Sequence, residues 1–395
     1  MRLLHFRLPY RAPSLYPPYA LASRLQDHLR RSLLDLKDNR PGSKPYTPTL
    51  ISFTPTPTYT LGRRQTSPLT DDEAARLSAP VLYHPSWPSV SSSTSPSQQM
   101  NGGKDDTVVT KLPVSILHSP RGGLTTYHGP GQVVLWPILD LISAEHNKYT
   151  VRCYTRVLEK TTITTLLKTF GLKAFTTEDP GVWVRSGAAW TPVSAETDEA
   201  EAEVLKGEES CALEGTGETV KGEEDGAKIA ALGVHLRRHV SGLGTAINVD
   251  MPGPEVTSEA LNPWARFVAC GLEGKTVTSV RGELDKAEAK QGYEGMLNPP
   301  AVANAWAENL ARNIGVDEVR TVGEEEVVRL LEELVSGGGK DMMSGSESSG
   351  QGLDVGEEER EFVRLMREEL DREKDVGEIM AGSRKWERFL LSSRR

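Results

Sequence analysis

Cys270 and Lys228 carry the side chains whose chemistry points most directly to group transfer. Cys270 stands just before Gly271 at the end of an apolar run, where a turn could expose its sulfur. A thiolate is a good acyl acceptor, and a nearby ammonium group lowers the pKa of a thiol. A lysine can also carry a proton between a leaving group and an incoming amine. Together the two residue types predict acyl transfer through a thioester.

Each of these residues also has an ordinary structural interpretation. A lone cysteine is often a small buried apolar residue. Lys228 lies within the almost wholly apolar segment 227–234. It either faces solvent on an alternating strand, or it is partly buried with a lowered pKa and acts as an acid and base. The two residues meet only if the sheet brings distant parts of the chain together.

A glycine-dense segment, residues 121–132, lies between two strand-like apolar runs and reads Arg-Gly-Gly-Leu-Thr-Thr-Tyr-His-Gly-Pro-Gly-Gln. Such a segment lets the backbone approach another group closely or adopt positive φ. The alternative is that this segment is an ordinary turn within a sheet and binds no ligand. Arg121 and His128, on the same loop, favour a loop that holds a ligand.

Composition excludes several classes of partner. The formal net charge is −9, but residues 196–225 alone contain 12 acidic and two basic side chains, so the rest of the chain is close to neutral. Proteins that bind nucleic acid carry a basic face, and no basic cluster stands out, so no nucleic-acid partner is predicted. No apolar stretch approaches the roughly 20 residues that cross a bilayer, so no membrane association is predicted.

Cysteine usage points to a reducing compartment. The three cysteines, Cys153, Cys211 and Cys270, are odd in number and not closely paired, which argues against a disulfide framework. No Cys/His spacing suggests zinc, and no Walker loop or metal-ligand cluster is found. The sequence therefore predicts neither a metal nor a cofactor.

The apolar spacing predicts alternating strands and helices. Strands are expected over residues 3–8, 51–61, 182–184 and 227–234, and residues 236–239 and 246–249 continue the sheet. Helices are expected over residues 19–36, 71–77, 150–170, 301–314, 324–335 and 357–374. Residues 181–184 and 227–234 are interpreted as the two arms of a hairpin with a long loop.

Polar segments divide the chain. Two inserts, about 86–106 and 195–226, are too polar to fold alone and are predicted to be disordered. A catalytic domain is expected over residues 1–320. A helical, partly disordered C-terminal extension follows over residues 321–395, and the apolar stripe on its last helix indicates ordinary packing or a docking surface.

Four blocks of the chain, in order, resemble the lipoyl(octanoyl) transferases of the lipoate-synthesis pathway. They are residues 58–64; residues 121–132 with the strand that follows; residues 181–184, continued by 227–234; and residues 246–249, followed by Asn262-Pro263 and Ala269-Cys270-Gly271. The resemblance covers roughly residues 2–315, and its second block is the most specific.

This resemblance implies an α/β (α+β) fold, a mixed sheet flanked by helices, similar to the catalytic domain of biotin and lipoate protein ligases. It implies transfer of an octanoyl group from octanoyl-acyl carrier protein to a lysine of a lipoyl domain, the first step of endogenous protein lipoylation. The acceptors are 2-oxoacid dehydrogenase E2 subunits and the glycine-cleavage H protein. Cys270 would hold the octanoyl group as a thioester, and Lys228 would tune the thiol and move protons. No ATP is needed.

The resemblance also implies an acyl-binding site and a compartment. Its lining residues are Arg121, Gly122, Gly123, Leu124, Thr125, Thr126, Tyr127, His128, Ala231, Leu232, Gly233, Gly244, Thr245 and Ala246. Leu243 stands where many members have a histidine, which predicts a different pocket wall. Eukaryotic members serve mitochondrial dehydrogenases, so a mitochondrial location is expected, although the chain shows no clear cleavable presequence.

Two alternatives remain open at this stage. An ATP-dependent lipoate or biotin ligase on the same fold also keeps a lysine near the third block, but it activates the acid as an adenylate and does not need Cys270. A non-catalytic binding module would instead use the acidic insert and the C-terminal extension as contact surfaces.

Overall fold

The structure is a computed structural model that describes residues 1–38, 46–83, 109–185, 226–267, 276–287, 296–337 and 355–392. It divides into two compact units, Met1–Val322 and Gly323–Arg395. None of the described helices combines the length and apolar composition that a membrane span requires.

The described strands and helices alternate along the chain. The strands are β1 Arg2–Arg7, β2 Thr49–Phe53, β3 Thr58–Leu61, β4 Val81–Tyr83, β5 Thr110–Leu112, β6 Ser115–His118, β7 Thr126–His128, β8 Gln132–Ile138, β9 Ala174–Phe175, β10 Val182–Arg185, β11 Gly226–Arg237, β12 Val240–Asn248, β13 Thr276–Val277 and β14 Glu318–Thr321. The helices are α1 Tyr19–Asp38, α2 Asp71–Ser78, α3 Val151–Phe170, α4 Val280–Lys286, α5 Pro299–Ile314, α6 Glu324–Ser336 and α7 Glu357–Ser392.

A mixed sheet of nine described strands forms the centre of the larger unit. Its order is β14-β1-β2-β8-β12-β11-β10-β9, with β13 beside β11. β1 runs parallel to β14 and β2, and β13 runs parallel to β11, whereas the other pairs are antiparallel. The expected fold class, a mixed sheet with flanking helices, is confirmed.

One face of this sheet, the core face, packs against α3 and α5. Leu135, Ile229 and Ile247 from the strands join Leu158 of α3 and Trp306 of α5 in one fully buried cluster. Burying a side chain of this size contributes about 1.5–3 kcal/mol. The core face therefore supplies much of the stability of the fold.

The opposite face, the α1 face, is covered by α1, which packs against β2, β8 and β12. Tyr19, at the start of α1, meets the rings of Phe53 and Trp136 at centroid distances of 5.9 and 5.2 Å. A three-stranded sheet in the order β6-β3-β7 carries the glycine-dense loop, which connects β6 to β7.

The long helix α3 begins after a threonine and ends before a glycine, residue types that favour these two positions. The Thr150 side chain accepts a hydrogen bond from the Cys153 N–H, and Gly171 closes the helix with φ at 67°. The buried hydroxyls of Thr162 and Thr165 bond back to carbonyls four residues earlier. These β-branched residues are accommodated because their hydroxyls also accept hydrogen bonds from side chains of α5.

Three expectations about element bounds were wrong. Residues 51–61 form two strands rather than one, because Pro55 and Pro57 lack the N–H groups that a continuous ladder needs. His239 does not continue the sheet, since Arg238 and His239 form the tight turn between β11 and β12, both with positive φ. The last helix extends past residue 374 to Ser392.

The smaller unit, Gly323–Arg395, contains α6 and α7. Their apolar faces are buried, and the expected stripe on α7 includes the buried residues Phe362, Met366 and Leu370. Arg367 of α7 forms an ion pair at 2.7 Å with Glu332 of α6. Ordinary packing therefore accounts for these three residues. The two polar inserts that were expected to be disordered lie outside the described residues, apart from Gly226.

Candidate functional site

A β-bulge in β11 lies next to Lys228. Across the antiparallel β10–β11 pair, Val182 opposes Ala230, but Trp183 opposes Lys228. This register leaves Ile229 as an extra residue on β11. A bulge of this kind interrupts the alternation of side chains between the two faces of a sheet.

The bulge determines the face on which Lys228 lies. Ile229 and Ala230, although adjacent in sequence, both belong to the cluster on the core face. Because side chains alternate on either side of the interruption, Lys228 lies on the same face as Ala231 and Gly233. That is the α1 face, where the glycine-dense loop is found.

Lys228 is buried, with 7% of its surface exposed. Its Nζ lies 5.1 Å from the centroid of the Trp183 ring, a cation–π contact. On the other side of β11, the Thr278 N–H donates to the Lys228 carbonyl at 3.0 Å. Of the two positions that the sequence left open for this lysine, the structure shows the buried one.

Gly181 allows the backbone to approach the stem of Lys228. A Cβ at this position would lie 2.5 Å from the Lys228 Cε, and its φ of 131° is one that other residues rarely adopt. The Gly181 N–H donates to the Glu159 Oε1 at 3.2 Å, and Glu159 of α3 is itself 8% exposed. A buried carboxylate thus fixes the backbone that borders the lysine.

Two of the expected acyl-site segments are directly paired strands. The cross-strand partners are Ala231 with Ala246, Leu232 with Thr245, and Gly233 with Gly244. On the α1 face these strands therefore present only small residues, which leaves room for another group to lie against the sheet.

Arg121 fastens the glycine-dense loop to this ladder. Its Nη2 donates to the Thr60 carbonyl at 2.6 Å and to the Thr60 hydroxyl at 2.8 Å, so the guanidinium is tied to β3. Its Cδ lies 3.1 Å from where a Cβ of Gly233 would stand. Arg121 is 8% exposed and positions the loop against β11.

The loop also follows the end of β3 closely. The Arg63 N–H donates to the Arg121 carbonyl at 3.0 Å, and the Arg64 N–H donates to the Gly123 carbonyl at 3.1 Å. A Cβ on Gly62 would lie 2.3 Å from the Gly123 carbonyl oxygen. Thr125 and the strand β7 that follows it are buried, while residues 122–124 of the loop remain accessible. The accessible glycines are the part available to a ligand.

His128 is held as a neutral imidazole. Its Nδ1 lies 2.8 Å from the Gln132 Oε1, and its ring stacks on Tyr19 at a centroid distance of 5.3 Å. Burial lowers the pKa of His128 to about 3. Because the Gln132 Oε1 can only accept a hydrogen bond, the proton is on Nδ1 and Nε2 is an acceptor.

A relay of amide groups connects His128 to the strand that flanks Lys228. The Gln132 Nε2 donates to the Asn248 Oδ1 at 2.9 Å, and the Asn248 Nδ2 donates to the Thr278 carbonyl at 2.9 Å. Thr278 in turn donates its N–H to Lys228. The loop, the central strands and the lysine strand are therefore joined by consecutive hydrogen bonds.

Leu243, at the position where the resemblance would place a histidine, has an unusual backbone. Its φ is 61°, a conformation that costs a side-chain-bearing residue about 1–2 kcal/mol. The Leu243 N–H donates to the Oε1 of the buried Gln26 at 2.5 Å, and its side chain is 6% exposed. Gln26 of α1 therefore shapes this wall of the site.

Cys270, the expected nucleophile, lies outside the described residues, as does Cys211. The other expected site residues are all described. The structure brings Lys228, the loop and the small residues of the paired segments to the α1 face, whereas Leu232 and its partner Thr245 lie on the core face. Among the described residues, no group of three or more His, Cys, Asp and Glu side chains is arranged to hold a metal ion.

The model of the lipoyl protein ligase A/B catalytic domain matches residues 97–296, about half of the chain. The chain belongs to this family. Its match covers the glycine-dense loop, Lys228, the paired small-residue segments and Cys270. The expected resemblance to the octanoyltransferases is confirmed by relatives that carry that name.

Three such relatives come from eukaryotes. A probable octanoyltransferase of Schizosaccharomyces pombe is 29% identical over 71% of this chain and 88% of its own length. The mitochondrial octanoyltransferase of Saccharomyces cerevisiae is 24% identical over 71% of this chain and 64% of its own length. The mitochondrial octanoyl-[acyl-carrier-protein]:protein N-octanoyltransferase of Danio rerio is 28% identical over 68% of this chain and 79% of its own length.

Solved structures to which this chain is similar include one from a structural analysis of an archaeal lipoylation system, a bi-partite lipoate protein ligase and its E2 lipoyl domain from Thermoplasma acidophilum. It is 13% identical to this chain, with a TM-score of 0.41, and the match covers 84% of this chain and 92% of that one.

Several residues around Lys228 were not among the expected site residues. Gly181 and Trp183 stand within a block that the sequence singled out, but nothing in the pattern assigned them to the lysine. Gln132 and Asn248 lie within two further blocks, but the pattern assigned them no role. Nothing in the sequence indicated a role for Glu159, because the helix on which it lies was predicted from its apolar residues alone.

Proposed function

We propose that this protein transfers an octanoyl group from octanoyl-acyl carrier protein to a lysine of lipoyl domains. The acceptors are 2-oxoacid dehydrogenase E2 subunits and the glycine-cleavage H protein, and the octanoyl group is carried as a thioester on Cys270. Membership of the lipoyl protein ligase A/B family and the names of the octanoyltransferase relatives support this function. The mitochondrial relatives support a location in that organelle.

The observation that carries the proposal is the position of Lys228 on the α1 face. A buried amine on the same sheet face as a floor of small residues and a loop with accessible glycines has the surroundings of a proton carrier for acyl transfer. Thr276, which pairs with Ala227 beside this lysine, follows Cys270 by six residues. Six extended residues span at most about 22 Å, so the chain length allows the thiol to reach the amine.

In the first half-reaction, the Cys270 thiolate attacks the thioester carbonyl of octanoyl-acyl carrier protein. A bond forms between the Cys270 sulfur and the acyl carbon, and the bond to the carrier sulfur breaks. The departing thiolate takes a proton from the Lys228 ammonium group, which becomes a neutral amine. The ammonium form also favours the thiolate of Cys270 before the attack.

In the second half-reaction, the neutral amine of the acceptor lysine attacks the Cys270 thioester. The new C–N bond forms, the C–S bond breaks, and Cys270 leaves as a thiolate. The neutral Lys228 amine takes the proton that the attacking nitrogen loses, which restores the ammonium group. The amide is more stable than the thioester, so the reaction needs no other source of energy.

The intact mass of the protein after incubation with octanoyl-acyl carrier protein tests this function. We expect an increase of one octanoyl group that is lost in Cys270→Ala and retained in Cys153→Ala. A lipoyl domain added afterwards should take up the same mass. Release of AMP, with no acyl adduct on the enzyme, would instead identify an ATP-dependent ligase.

A further inference from the structure

A cluster of four basic side chains lies where α1 crosses the hairpin of β11 and β12. This cationic cluster consists of Arg30 of α1, Arg63 after β3, and His235 and Arg237 of β11. The Arg30 Nη1 lies 3.4 Å from the His235 Nδ1. Arg63 and Arg237 are exposed, whereas Arg30 is 8% exposed.

Arg30 is the buried member of the cationic cluster. Its guanidinium lies over Gly242, where a Cβ would come within 3.0 Å of the Arg30 Cζ and Nε. Among the described residues, neither its Nε nor its Nη2 has a hydrogen-bond partner. Asp27, the acidic partner in reach, is 3.9 Å away and 61% exposed. A buried guanidinium with so little compensation is costly unless an anion completes the site.

The cationic cluster borders the glycine-dense loop. His235 pairs with Gly242 and, by alternation along β11, lies on the same face as Gly233, over which Arg121 lies. Arg63 is joined to the loop by its backbone bond to Arg121. Arg30 and Arg63 both contribute to a lowered pKa at His235, after the larger effect of burial, so all three groups act on one another.

Two cations near the cluster have acidic partners. Arg238 forms an ion pair at 2.5 Å with Asp38, and Lys37 forms one at 2.8 Å with Asp140. Arg121 adds a further buried cation on the loop, where its guanidinium donates to the neutral oxygens of Thr60.

We infer that the cationic cluster is an anion-binding subsite that receives the phosphodiester of the pantetheine arm through which a carrier protein presents its acyl thioester. The inference rests on the proposed function. A planar guanidinium with several donors matches the oxygens of a phosphate. Because the Arg30 guanidinium is buried, the thin pantetheine chain can reach it, whereas the surface of a folded protein cannot. His235 and Lys228 lie on the same strand, β11, and by the alternation described above they lie on the same face of the sheet.

Kinetics with three donors test the subsite: octanoyl-acyl carrier protein, octanoyl-4′-phosphopantetheine and octanoyl-pantetheine, each with a lipoyl domain as acceptor. Arg30→Met keeps the apolar stem and removes the charge. For this variant we expect the KM of both phosphate-bearing donors to rise about tenfold to a hundredfold, with kcat unchanged. The KM of octanoyl-pantetheine should stay at the wild-type value. Arg31→Met, which removes an exposed cation from the same helix, should leave all three KM values unchanged.

A thermal melt checks the folding of Arg30→Met, and Arg63→Gln, at an exposed position, provides a second test with a smaller rise in KM. Equal KM values for the two small donors in the wild type would overturn the inference while leaving the proposed function intact. An effect of Arg30→Met on the carrier protein alone would also overturn it and would indicate contact with the acidic protein surface. Absence of transfer from every donor by the wild-type protein would contradict the proposed function itself.

Discussion

Lys228 and Trp183 are direct cross-strand partners, and the ammonium group of the lysine lies 5.1 Å from the centre of the indole ring. The ring holds the lysine stem on the α1 face without adding a charge of its own. Because the face of the ring attracts a cation, the contact favours the ammonium form with which the first half-reaction begins.

Lys228→Met should slow both half-reactions by about 10²–10⁴-fold, the range that a positioned acid and base contributes. Rapid-quench mass spectrometry would follow the formation of the Cys270 adduct and its transfer to a lipoyl domain separately. Lys148→Met, at an exposed position, should behave like the wild type. A loss confined to one half-reaction would contradict the shared role of Lys228 in proton transfer.

Gly181→Ala should lower both stability and activity. The new Cβ would lie 2.5 Å from the Lys228 Cε and 2.7 Å from the Ala230 carbonyl oxygen, at a φ of 131°. The backbone strain alone costs about 1–3 kcal/mol of unfolding free energy, measurable in urea. Gly282→Ala, inside α4 with its nearest neighbours at 3.5 Å, should instead stabilise by about 0.5–1 kcal/mol. Equal effects of the two substitutions would contradict this account.

Two buried histidines should make the protein sensitive to mild acid. Burial lowers the pKa of His5 to about 4 and that of His128 to about 3. Because an unfolded histidine has a pKa near 6.5, the unfolded chain binds more protons below that pH. The contribution of the two histidines to the unfolding free energy should be at its maximum above about pH 7. Below pH 6.5 the unfolding free energy should fall, by up to about 1.4 kcal/mol per pH unit for each histidine.

Urea unfolding at pH 7, 6 and 5 measures this slope. His5→Gln removes one of the two groups and keeps a polar atom near the Ser52 hydroxyl, which His5 contacts at 2.7 Å. The variant should show a shallower decline than the wild type, whatever its stability at pH 7. His118→Gln, at an exposed position, should keep the wild-type slope. An unchanged slope in His5→Gln would mean that other groups control the acid response.

Deletion of residues 196–225 should leave octanoyl transfer nearly unchanged. Arg185 and Gly226 are cross-strand partners, so the chain leaves the sheet and returns to it at the same point. Shortening this connection about fourfold lowers the entropy cost of loop closure by roughly 1 kcal/mol, so a slight gain in stability is expected. Steady-state kinetics with octanoyl-acyl carrier protein measures the effect. A selective rise in the KM for this donor would show that the acidic segment contacts the carrier.

The sequence allowed most elements to be predicted where one local rule dominates. Gly171 marks the end of α3, the helix expected over residues 71–77 is α2, and the pairing of β10 with β11 was expected from their apolar patterns. The expectation that a run of β-forming residues is a single strand was wrong at Pro55 and Pro57, because such residues stand on both sides of the break between β2 and β3.

The candidate site could be predicted as a set of segments but not as a geometry. The loop was recognised from its glycines and the two paired segments from the resemblance to the octanoyltransferases, and the register of β11 with β12 brings those two segments together. The side on which Lys228 lies could not be predicted, because it depends on the bulge at Ile229, which exists only through pairing with β10. Glu159 was missed because its contact with Gly181 joins residues far apart in the chain.

Because side chains alternate between the two faces of a sheet, the number of residues in the bulge decides the face on which the Lys228 amine lies. An insertion or deletion of a single residue between positions 228 and 231 would move the Lys228 side chain to the core face, among the aliphatic side chains that pack against α3 and α5. This would happen even if all the site residues were still present in the sequence. In an alignment of homologues, a one-residue gap at this place would therefore separate chains that can move a proton from chains that cannot.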